Sequence, residues 1–396
     1  MSKVMILAPN NQNESGLDNV FSLDTYQPFA GEVLSFIQSL SEYLLKSEQC
    51  KIHSELVALG FWLRKSNMKQ IQKSNARQAN VIQKALGTIL HFTPSNVDSM
   101  FVYSWVCSLL MGNNNIIRVA SAESQVKLYL LSAINSLFTQ KKFTAIAQRN
   151  LFVSYPKESS LTAKLSAKAS ARVIWGGDES VQAIRAIPSH PRCRDISFAD
   201  RYSACLINGD ELQTATQVDE LATKLWRDTE PHAQQACSSP RIIYWLGAKN
   251  KQLTLFQHIN ALAIKQGTDL TLLNNHLVVG QLIQSRGQGY KPLVQQAICV
   301  LTVDTVSSEY LDWHLGNGLF LLKNLNSEQE LAYETDSKLQ TLSYWKVDKD
   351  VLLKLIQQPS ITGIDRVVPV GHSLDFSTVW DGFDLFGQLC RSIVLE

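Results

Sequence analysis

The feature that most constrains this fold is a series of short apolar segments that alternate with helical stretches between residues 88 and 186. Strands are predicted at residues 88–92, 115–119, 150–154 and 171–175, with helices at 97–111, 122–138, 161–169 and 179–186. Most of these helices follow Ser, Asn or Asp, which favour helix N-termini, and Ser121 is the expected cap of the second helix. Short strands joined by helices form parallel sheets through right-handed crossovers. The pattern therefore predicts a nucleotide-binding type of α/β domain.

The remaining segments predict a second α/β domain and a returning C-terminal segment. Before this series, helices are expected between residues 31 and 64, followed by a polar helix over 67–86. After it, strands are expected at 196–198, 204–208, 242–246, 297–303 and 318–322, and amphipathic helices at 217–228 and 251–266. The chain is therefore divided into a first domain of residues 1–207, a second of residues 208–359, and a C-terminal segment of residues 360–396 that packs on the first domain.

The composition of the chain argues against several classes of partner and site. The chain has 396 residues, 45% hydrophobic and 18% charged, with a formal net charge of +2. Without acidic or basic blocks, electrostatics predicts neither a nucleic-acid nor a membrane-surface partner. The seven cysteines are scattered without a C-x-x-C pair, and the histidines lack metal-ligand spacing, so neither a disulfide framework nor a metal site is expected. A cytoplasmic location is expected, because the first 20 residues do not resemble a secretory signal and the apolar run 100–111 is too short to span a bilayer.

Several common binding and catalytic motifs are missing from the sequence. There is no G-x-G-x-x-G, no G-x-x-x-x-G-K-[ST] and no G-x-S-x-G. Gly176 and Gly177, which follow a predicted strand and precede a predicted helix, are a weaker phosphate-binding signal, because glycines let the backbone approach an anion at a helix N-terminus. The alternative is a tight turn capped by Asp178.

The strongest candidate for covalent chemistry is Cys237. It lies in the run QQACSSP at residues 234–240, between a helical segment and an apolar strand. A turn of small residues leaves room for a tetrahedral adduct and offers backbone N–H groups to an oxyanion. The alternative is a buried spacer, since free cysteines are usually packed as small hydrophobic residues.

Several motifs resemble those of the aldehyde dehydrogenase superfamily. Residues 91–96 (HFTPSN) resemble its Pro-x-Asn turn, and residues 112–121 (GNNNIIRVAS) resemble the Gly-Asn, apolar strand and Lys-Pro-Ser element that follows. More narrowly, four segments resemble the LuxC-type acyl-CoA reductases, the fatty-acid reductase branch that supplies aldehyde for bacterial bioluminescence: residues 60–64 (GFWLR), 198–203 (FADRYS), 235–240 (QACSSP) and 380–385 (WDGFDL). The resemblance runs from about residue 50 to the C-terminus.

The resemblance implies a fold and a reaction. The fold would be aldehyde dehydrogenase-like: two α/β domains with mostly parallel sheets, the first a Rossmann-like nicotinamide-cofactor domain and the second a catalytic domain. The Cys237 thiolate would attack an acyl thioester, and the resulting thioacyl-enzyme would be reduced to an aldehyde. The side-chain amide of Asn96, with the backbone N–H of Cys237, would hold the oxyanion, a type of contact worth about 3 kcal/mol in the barrier. The alternative for Asn96 is a cap on the following helix.

The resemblance also implies a cofactor site. Arg118 replaces the superfamily lysine that reaches the adenosine ribose, and a guanidinium can bind a 2′-phosphate, which favours NADPH, with NADH as the alternative. Arg118 could equally be a solvated arginine at a strand end. The other expected cofactor-binding residues are Thr93, Pro94, Ser121, Gly176 and Gly177.

The sequence departs from the superfamily pattern at the residue that activates water. Phe198 takes the position of the glutamate that has this role in aldehyde-oxidising members, which disfavours hydrolysis of the thioacyl-enzyme. His232, Gln235 and Ser238 are expected to line the substrate pocket, and the loop at residues 313–318 either borders the acyl channel or is an ordinary turn.

The expected substrate is a long-chain acyl thioester carried by coenzyme A, a carrier or an acylated protein. Two alternatives remain at this stage: an aldehyde dehydrogenase that forms acid, and a catalytically silent acyl-binding partner. A homo-oligomer is expected, because superfamily members assemble through a C-terminal strand. Residues 367–371 or 392–395 could supply such a strand.

Overall fold

The computed structural model describes residues 4–76, 80–267, 270–286 and 290–396, and the chain divides into two compact units. The first runs to Asp200 and includes Phe376–Glu396, and the second is Arg201–Asp375. The sequence pattern placed these boundaries at residues 207 and 359 instead. The difference arises because the strands at Tyr202–Asn208 and Arg366–Pro369 are hydrogen-bonded into the sheet of the second unit.

The first unit contains a six-stranded sheet, two small two-stranded sheets and helices, numbered along the whole chain. Its strands are β1 (Met5–Ala8), β2 (Val81–Ala85), β3 (Thr88–Phe92), β4 (Asn114–Arg118), β5 (Asn150–Ser154), β6 (Ala171–Trp175), β7 (Arg194–Phe198), β15 (Val379–Trp380), β16 (Phe383–Asp384) and β17 (Cys390–Val394). Its helices are α1 (Ser15–Val20), α2 (Gly31–Lys46), α3 (Glu48–Lys51), α4 (Ser54–Trp62), α5 (Lys65–Ser74), α6 (Met100–Leu110), α7 (Gln125–Phe138), α8 (Thr144–Gln148), α9 (Leu161–Ser166), α10 (Asp178–Arg185) and α17 (Leu385–Gln388).

The main sheet of the first unit has the order β1-β5-β4-β3-β6-β7. All neighbouring pairs are parallel except β1 with β5. From β3 the chain moves outward to β4 and β5, and then returns to the other side of β3 for β6 and β7. The strand order therefore reverses between β3 and β6, which is where open α/β sheets form a ligand-binding crevice at the carboxyl ends of their strands.

The predicted polar helix over residues 67–86 is only half helical. Helix α5 ends at Ser74, and Val81–Ala85 forms β2, which pairs antiparallel with β17 near the C-terminus. Sequence periodicity could not reveal this pairing, because the partner strand is remote in the chain. Residues 392–394, part of one candidate oligomerisation strand, are thus paired with β2 within the same chain.

Helix α6 is the centre of the core of the first unit. Every residue from Met100 to Leu110 is buried. Around it, Phe36, Trp105 and Phe152 make edge-to-face ring contacts, with centroids 4.9 and 5.6 Å apart in the two pairs that contain Trp105. The apolar run predicted as a buried helix is therefore core material. No helix among the described residues is long and apolar enough to cross a membrane.

Asn113 is a buried hydrogen-bonding junction of the first unit. Its Oδ1 accepts from the backbone N–H groups of Leu86 (2.8 Å) and Gly87 (3.2 Å). Its Nδ2 donates to the carbonyls of Ser108 (3.2 Å) and Leu389 (2.8 Å). One side chain thus joins the start of β3, the end of α6 and the C-terminal segment, which explains why an asparagine follows the helix here.

A polar network crosses the apolar sheet at His91 in β3. Its Nε2 bonds Asn115 Oδ1 (3.0 Å) and its Nδ1 bonds Ser104 Oγ (2.8 Å). Since an amide oxygen only accepts, Nε2 carries the proton and Nδ1 accepts from the serine. Ser104 Oγ also accepts from Trp175 Nε1 at 3.0 Å. Burial lowers the pKa of His91 to about 4.

The second unit is built on a seven-stranded sheet. Its strands are β8 (Tyr202–Asn208), β9 (Pro240–Leu246), β10 (Tyr290–Gln295), β11 (Cys299–Val303), β12 (Leu319–Leu325), β13 (Leu339–Trp345) and β14 (Arg366–Pro369). Its helices are α11 (Ala215–Thr229), α12 (Gln252–Gln266), α13 (Leu270–Ser285), α14 (Ser308–Asp312), α15 (Leu331–Glu334) and α16 (Lys349–Ile356).

The sheet of the second unit has the order β10-β11-β12-β9-β8-β13-β14 and is parallel except for β10. Strand β9 lies in its centre between β8 and β12, and all three are buried along most of their length. Residues just before β9 therefore lie at the amino-terminal edge of the sheet, beside the starts of β8 and β12. Residues 367–369, in the other candidate oligomerisation strand, belong to β14 and pair with β13.

The titration of His91 leads to a prediction about acid stability. The unfolded side chain takes up a proton near its ordinary pKa of 6.5, whereas the folded one does so only at about 4. Between these values the unfolded state binds more protons, so unfolding free energy falls as pH falls, by up to about 1.4 kcal/mol per pH unit. Urea unfolding at pH 7 and pH 5 should therefore show a smaller pH effect in His91→Gln than in the unmutated protein. The exposed His190→Gln is the control, and an unchanged pH effect in His91→Gln would contradict the assignment.

Candidate functional site

Cys237 lies immediately before β9, at the amino-terminal edge of the sheet in the second unit. Cys237 and Cys193 are partly exposed residues, whereas the other five cysteines are buried. Burial raises the pKa of the Cys205 and Cys299 thiols to about 12, which keeps them protonated and unreactive. Burial also raises the pKa of the Cys193 thiol.

The segment before Cys237 has an unusual backbone. Residues Pro231–Gln234 form a 3-10 turn in which His232, Ala233 and Gln234 have φ values of 57°, 50° and 62°. Consecutive non-glycine residues in the left-handed region are rare, and each costs free energy that the surrounding structure must supply.

The side-chain amide of Gln234 holds this segment against the sheet. It is fully buried; its Nε2 donates to the carbonyls of Pro240 (2.8 Å) and Leu319 (2.9 Å), and its Oε1 accepts from the N–H of Gly318 (2.9 Å). These bonds tie the turn to the starts of β9 and β12. The amide therefore stabilises the strained backbone from which Cys237 follows.

Cys237 itself is in a β-turn. The N–H of Ser239 donates to the carbonyl of Ala236 at 3.0 Å, which makes Cys237 and Ser238 the two central residues. The carbonyl of Cys237 accepts from Ser203 Oγ at 2.6 Å. Ser203 is a fully buried residue of β8.

A second loop, residues 314–318, supports the cysteine turn. Gln235 Nε2 donates to the Leu315 carbonyl at 2.7 Å, and the N–H of Asn317 donates to the Ala233 carbonyl at 2.9 Å. Gly316 has φ +74°, and a Cβ there would lie 2.4 Å from the Ala233 oxygen. The loop therefore packs closely against the cysteine turn, and this close contact requires glycine at position 316.

His314 fixes the shape of that loop. Its Nε2 donates to the Leu319 carbonyl at 2.8 Å, and its Nδ1 accepts from the N–H of Gly316 at 3.2 Å. Burial, together with the nearby charge of Arg241, lowers the pKa of His314 to about 3. His276 bonds the Gly316 carbonyl through Nε2, and burial lowers its pKa as well. Both rings are therefore neutral hydrogen-bonding groups near pH 7.

The three predicted pocket residues differ in their surroundings. Gln235 and His232 are partly exposed, and Gln235 serves the loop contact described above. Ser238 is 3% exposed and belongs to the packed turn. Ser238 thus presents little side-chain surface to a substrate.

The expected cofactor residues lie in the first unit, mostly after strands that meet at one sheet edge. Thr93 and Pro94 follow β3, Arg118 ends β4, and Gly176 and Gly177 follow β6. These three strands are adjacent and parallel, so their carboxyl ends lie side by side. The reversal of strand order between β3 and β6 coincides with this edge.

Arg118 is oriented by a carbonyl of the neighbouring strand end. Its Nε and Nη2 donate to the Tyr155 carbonyl at 3.3 and 3.1 Å, and the guanidinium lies 5.0 Å from the centroid of the Tyr155 ring. Nη1 takes part in neither of these two bonds. Thr93 is tied to the same strand end, because its Oγ1 donates to the Arg118 carbonyl at 3.0 Å.

The turn at Gly176 and Gly177 already has an anion beside it. The carboxylate of Asp200 accepts from the N–H of Asp178 at 3.1 Å, and the carboxylate of Asp178 accepts from the N–H of Asp200 at 3.1 Å. Glu179 adds a further acidic residue to the first turn of α10. A pyrophosphate would meet three carboxylates here, so the charge pattern does not favour this helix N-terminus as the phosphate site.

Asn96 and Ser121 both lie outside the helix caps expected for them. Asn96 is exposed in a bend after β3, and the N-cap position of α6 is Ser99. Ser121 is exposed too, and the cap of α7 is Ser124, whose side chain accepts from the N–H of Lys127 at 3.0 Å. The cap assigned to Ser121 was wrong by three residues, because several serines precede this helix.

Phe198 is an aromatic core residue at the end of β7. It is 3% exposed and stacks on Trp175 with ring centroids 3.8 Å apart. Its ring also makes an edge contact with Phe383. Asp200, the nearest acidic residue in sequence, uses its carboxylate on the N-terminus of α10.

Sequence reasoning missed the groups that hold the cysteine turn, namely Ser203, Gln234 and His314. Ser203 lies in the FADRYS segment, which had been singled out only as a family motif. Gln234 begins the run at residues 234–240 that had been singled out for Cys237, but Gln234 itself was given no role. His314 lies in the glycine-containing loop for which an ordinary turn was an equal explanation. The motifs were therefore the only signal in the sequence for these three residues. Their contacts with the cysteine turn became visible only once the strands were paired in the sheet.

Comparisons with known proteins agree with this architecture. A sequence model of the acyl-CoA reductase (LuxC) family matches residues 11–270. Many solved structures share the fold, and the three described next are aldehyde dehydrogenases or bind a nicotinamide cofactor. Lactaldehyde dehydrogenase from Escherichia coli is 12% identical, with 96% of this chain and 88% of that chain covered and a TM-score of 0.65.

Two further structures give similar values. An NAD-dependent benzaldehyde dehydrogenase from Corynebacterium glutamicum is 12% identical, with 96% and 87% of the two chains covered and a TM-score of 0.64. PnpE, solved in complex with nicotinamide adenine dinucleotide, is 11% identical, with 96% and 87% covered and a TM-score of 0.66. These likenesses establish the aldehyde dehydrogenase-like fold. A search of curated protein sequences found no match.

The fit of the 314–318 loop leads to a prediction about Gly316. In Gly316→Ala the alanine would keep a positive φ that is unfavourable for a residue with a side chain. Its Cβ would lie 2.4 Å from the Ala233 oxygen and 2.6 Å from Gln235 Nε2. We expect a loss of about 2–5 kcal/mol of unfolding free energy. Gly267→Ala is the matched control, because Gly267 also has positive φ but nothing within 4 Å, and should cost about 1 kcal/mol. Equal losses in urea unfolding would contradict the fitted loop.

Proposed function

This chain belongs to the acyl-CoA reductase (LuxC) family, and on that premise we propose that it reduces a long-chain acyl thioester, carried by coenzyme A, to an aldehyde, with NADPH as reductant and Cys237 as nucleophile. The observation that carries the proposal is the construction around Cys237. A partly exposed cysteine lies in a turn of small residues at a sheet edge, and it follows a strained backbone segment that buried side chains hold in place.

The first half of the proposed reaction belongs to Cys237. Its thiolate forms a bond to the thioester carbonyl carbon, the carbonyl becomes an oxyanion, and the oxyanion collapses with release of the coenzyme A thiolate. The product is a thioacyl-enzyme. The backbone N–H of Cys237 is the proposed oxyanion donor within the turn, and the role of the Asn96 amide stays a prediction from the family resemblance.

The residues of the first unit fit a dinucleotide at the crevice beside β3. The fit rests on the reversal of strand order there and on Arg118, a cation at the end of β4, where an acidic residue would favour a ribose 2′-hydroxyl. Thr93, Pro94 and Arg118 would hold the cofactor, whereas the carboxylates at Gly176 and Gly177 disfavour phosphates there. When bound, the reduced nicotinamide would supply a hydride to the thioacyl carbon. Breakage of the C–S bond would then release the aldehyde and return the Cys237 thiolate.

Reduction is favoured over hydrolysis by the residue at the end of β7. An aromatic core residue, Phe198, cannot accept a proton from water, and Asp200 uses its carboxylate on a helix N-terminus. Without a carboxylate at position 198 to activate water, the thioacyl-enzyme is expected to persist until it is reduced or returned to a thiol. The rival function, an aldehyde dehydrogenase that forms acid, requires such a base.

The proposal predicts a covalent acyl adduct on Cys237. Incubation with a series of acyl-CoA chain lengths should add one acyl mass to the intact protein, and Cys237→Ala should abolish the adduct. Subsequent NADPH should remove the adduct and release aldehyde. Cys193→Ala is the matched control, because it removes the only other cysteine described as partly exposed and should leave the adduct unchanged.

Other outcomes identify the alternatives. Free acid formed from aldehyde and NAD in the absence of coenzyme A would favour an aldehyde dehydrogenase. Absence of an adduct with every thioester tested would favour a catalytically silent acyl-binding protein.

The cofactor assignment predicts that Arg118 selects NADPH. A hydrogen bond to a charged group is worth about 1.5–3 kcal/mol, so Arg118→Ser should weaken NADPH binding about 10- to 100-fold and should affect NADH far less. Binding is measured by nucleotide fluorescence, without turnover. Arg149→Ser is the control: this arginine also lies 5.0 Å from a tyrosine ring, but it precedes β5 at the opposite sheet edge. Equal weakening of both nucleotides in Arg118→Ser would contradict the assignment.

A further inference from the structure

The hydroxyl of Ser203 joins the nucleophile turn to strand β13 in the sheet of the second unit. It donates to the Cys237 carbonyl at 2.6 Å and accepts from the backbone N–H of Thr341 in β13 at 3.1 Å. Ser203 and Thr341 are both fully buried. The oxygen therefore uses its proton on one partner and a lone pair on the other, and its rotation about the Cα–Cβ bond is restricted.

The carbonyl that Ser203 holds belongs to the central peptide of a β-turn. Since the turn spans Ala236–Ser239, the peptide between Cys237 and Ser238 is the one whose orientation distinguishes type I from type II turns. A flip of this peptide exchanges the directions of the Cys237 carbonyl and the Ser238 N–H while the ends of the turn remain in place. One hydrogen bond to the carbonyl thus selects one of two local backbone states.

The rest of the turn is anchored on either side of that peptide. Gln234 fixes the backbone before it through Pro240, Leu319 and Gly318. The register of the sheet fixes the backbone after it, because Pro240 lies opposite Ser203 itself. Of the hydrogen bonds described for this turn, the bond from Ser203 is the one that acts on the central peptide.

We propose that Ser203 is a positioning residue for the reaction at Cys237: by holding the Cys237 carbonyl it fixes the direction of the Ser238 N–H in the same peptide, which serves as a second oxyanion donor beside the N–H of Cys237. This inference rests on the proposed function. Its chemical consequence is selective, because thioester attack generates an oxyanion whereas alkylation of a thiol by iodoacetamide does not. Loss of the hydroxyl should slow the first reaction and leave the second nearly unchanged.

The experiment compares Ser203→Ala with Ser343→Ala in the full-length protein. Ser343 is also a fully buried serine of the same sheet, and its Oγ donates to the Ala204 carbonyl at 3.4 Å, away from the cysteine turn. For each variant, the rate of acyl-adduct formation from an acyl-CoA and the rate of Cys237 alkylation by iodoacetamide are followed by mass spectrometry. Thermal unfolding and NADPH binding are measured on the same samples.

Ser203→Ala is expected to slow acylation about 10²-fold, the loss typical of one misplaced oxyanion donor. Alkylation and NADPH binding should remain within about twofold in that variant, and Ser343→Ala should retain acylation. Ser203→Thr, which keeps a hydroxyl, should recover most of the acylation rate. If Ser203→Ala does not fold, Ser203→Cys serves instead, with the adduct located on the Cys237 peptide, because its weaker donor should give an intermediate rate.

Four outcomes would overturn the inference. Acylation of folded Ser203→Ala at the unmutated rate would exclude a positioning role. Equal losses in Ser203→Ala and Ser343→Ala, or parallel losses of acylation and alkylation, would indicate a purely structural effect. Absence of any acyl adduct in the unmutated protein would refute the proposed function and this inference with it. This outcome differs from the others because it is seen in the unmutated protein, before any variant is compared.

Discussion

The arrangement at Cys237 depends on the buried amide of Gln234. Three consecutive residues with positive φ are energetically unfavourable, and they persist because one side chain bonds to two carbonyls and one N–H at the starts of β9 and β12. The amide is shielded from water, so any rearrangement of the turn would leave several buried polar groups unpaired. The strain is therefore balanced by hydrogen bonds that only the folded sheet provides.

The two units use opposite edges of their parallel sheets. In the first, the candidate cofactor residues follow the carboxyl ends of β3, β4 and β6, where strand order reverses. In the second, the candidate nucleophile precedes β9 at the amino-terminal edge. At the carboxyl edge, the loops that follow adjacent strands can surround a ligand. At the amino-terminal end of β9, hydrogen bonds to residues at the starts of β8 and β12 hold the backbone in place. The first arrangement suits binding, and the second suits a fixed reactive group.

Acidic residues make the N-terminus of α10 in the first unit a poor site for an anion, although the fold alone would favour one there. A glycine-containing turn before a helix is a common anion site, yet here Asp178 and Asp200 exchange backbone hydrogen bonds across it. The helix N-terminus is thereby neutralised from within the unit. Arg118, whose guanidinium donates to the Tyr155 carbonyl, is a candidate cation for a phosphate in this unit. The charge distribution thus favours Arg118 over the turn at Gly176 and Gly177 as the candidate phosphate site, whereas the sequence patterns had treated both as candidates.

Local patterns in the sequence determined most of the first unit. The strands at residues 88–92, 150–154 and 171–175 were predicted with the bounds that the structure has, because a strand buried on both faces is a self-contained apolar run. The FADRYS and QACSSP segments likewise pointed to the family and to Cys237. Tertiary structure alone decided that Val81–Ala85 is a strand, since its partner is near the C-terminus. It alone brought Ser203 to the cysteine turn and gave Gln234 its partners at Gly318 and Leu319, because pairing of β8, β9 and β12 joins segments that no sequence periodicity connects.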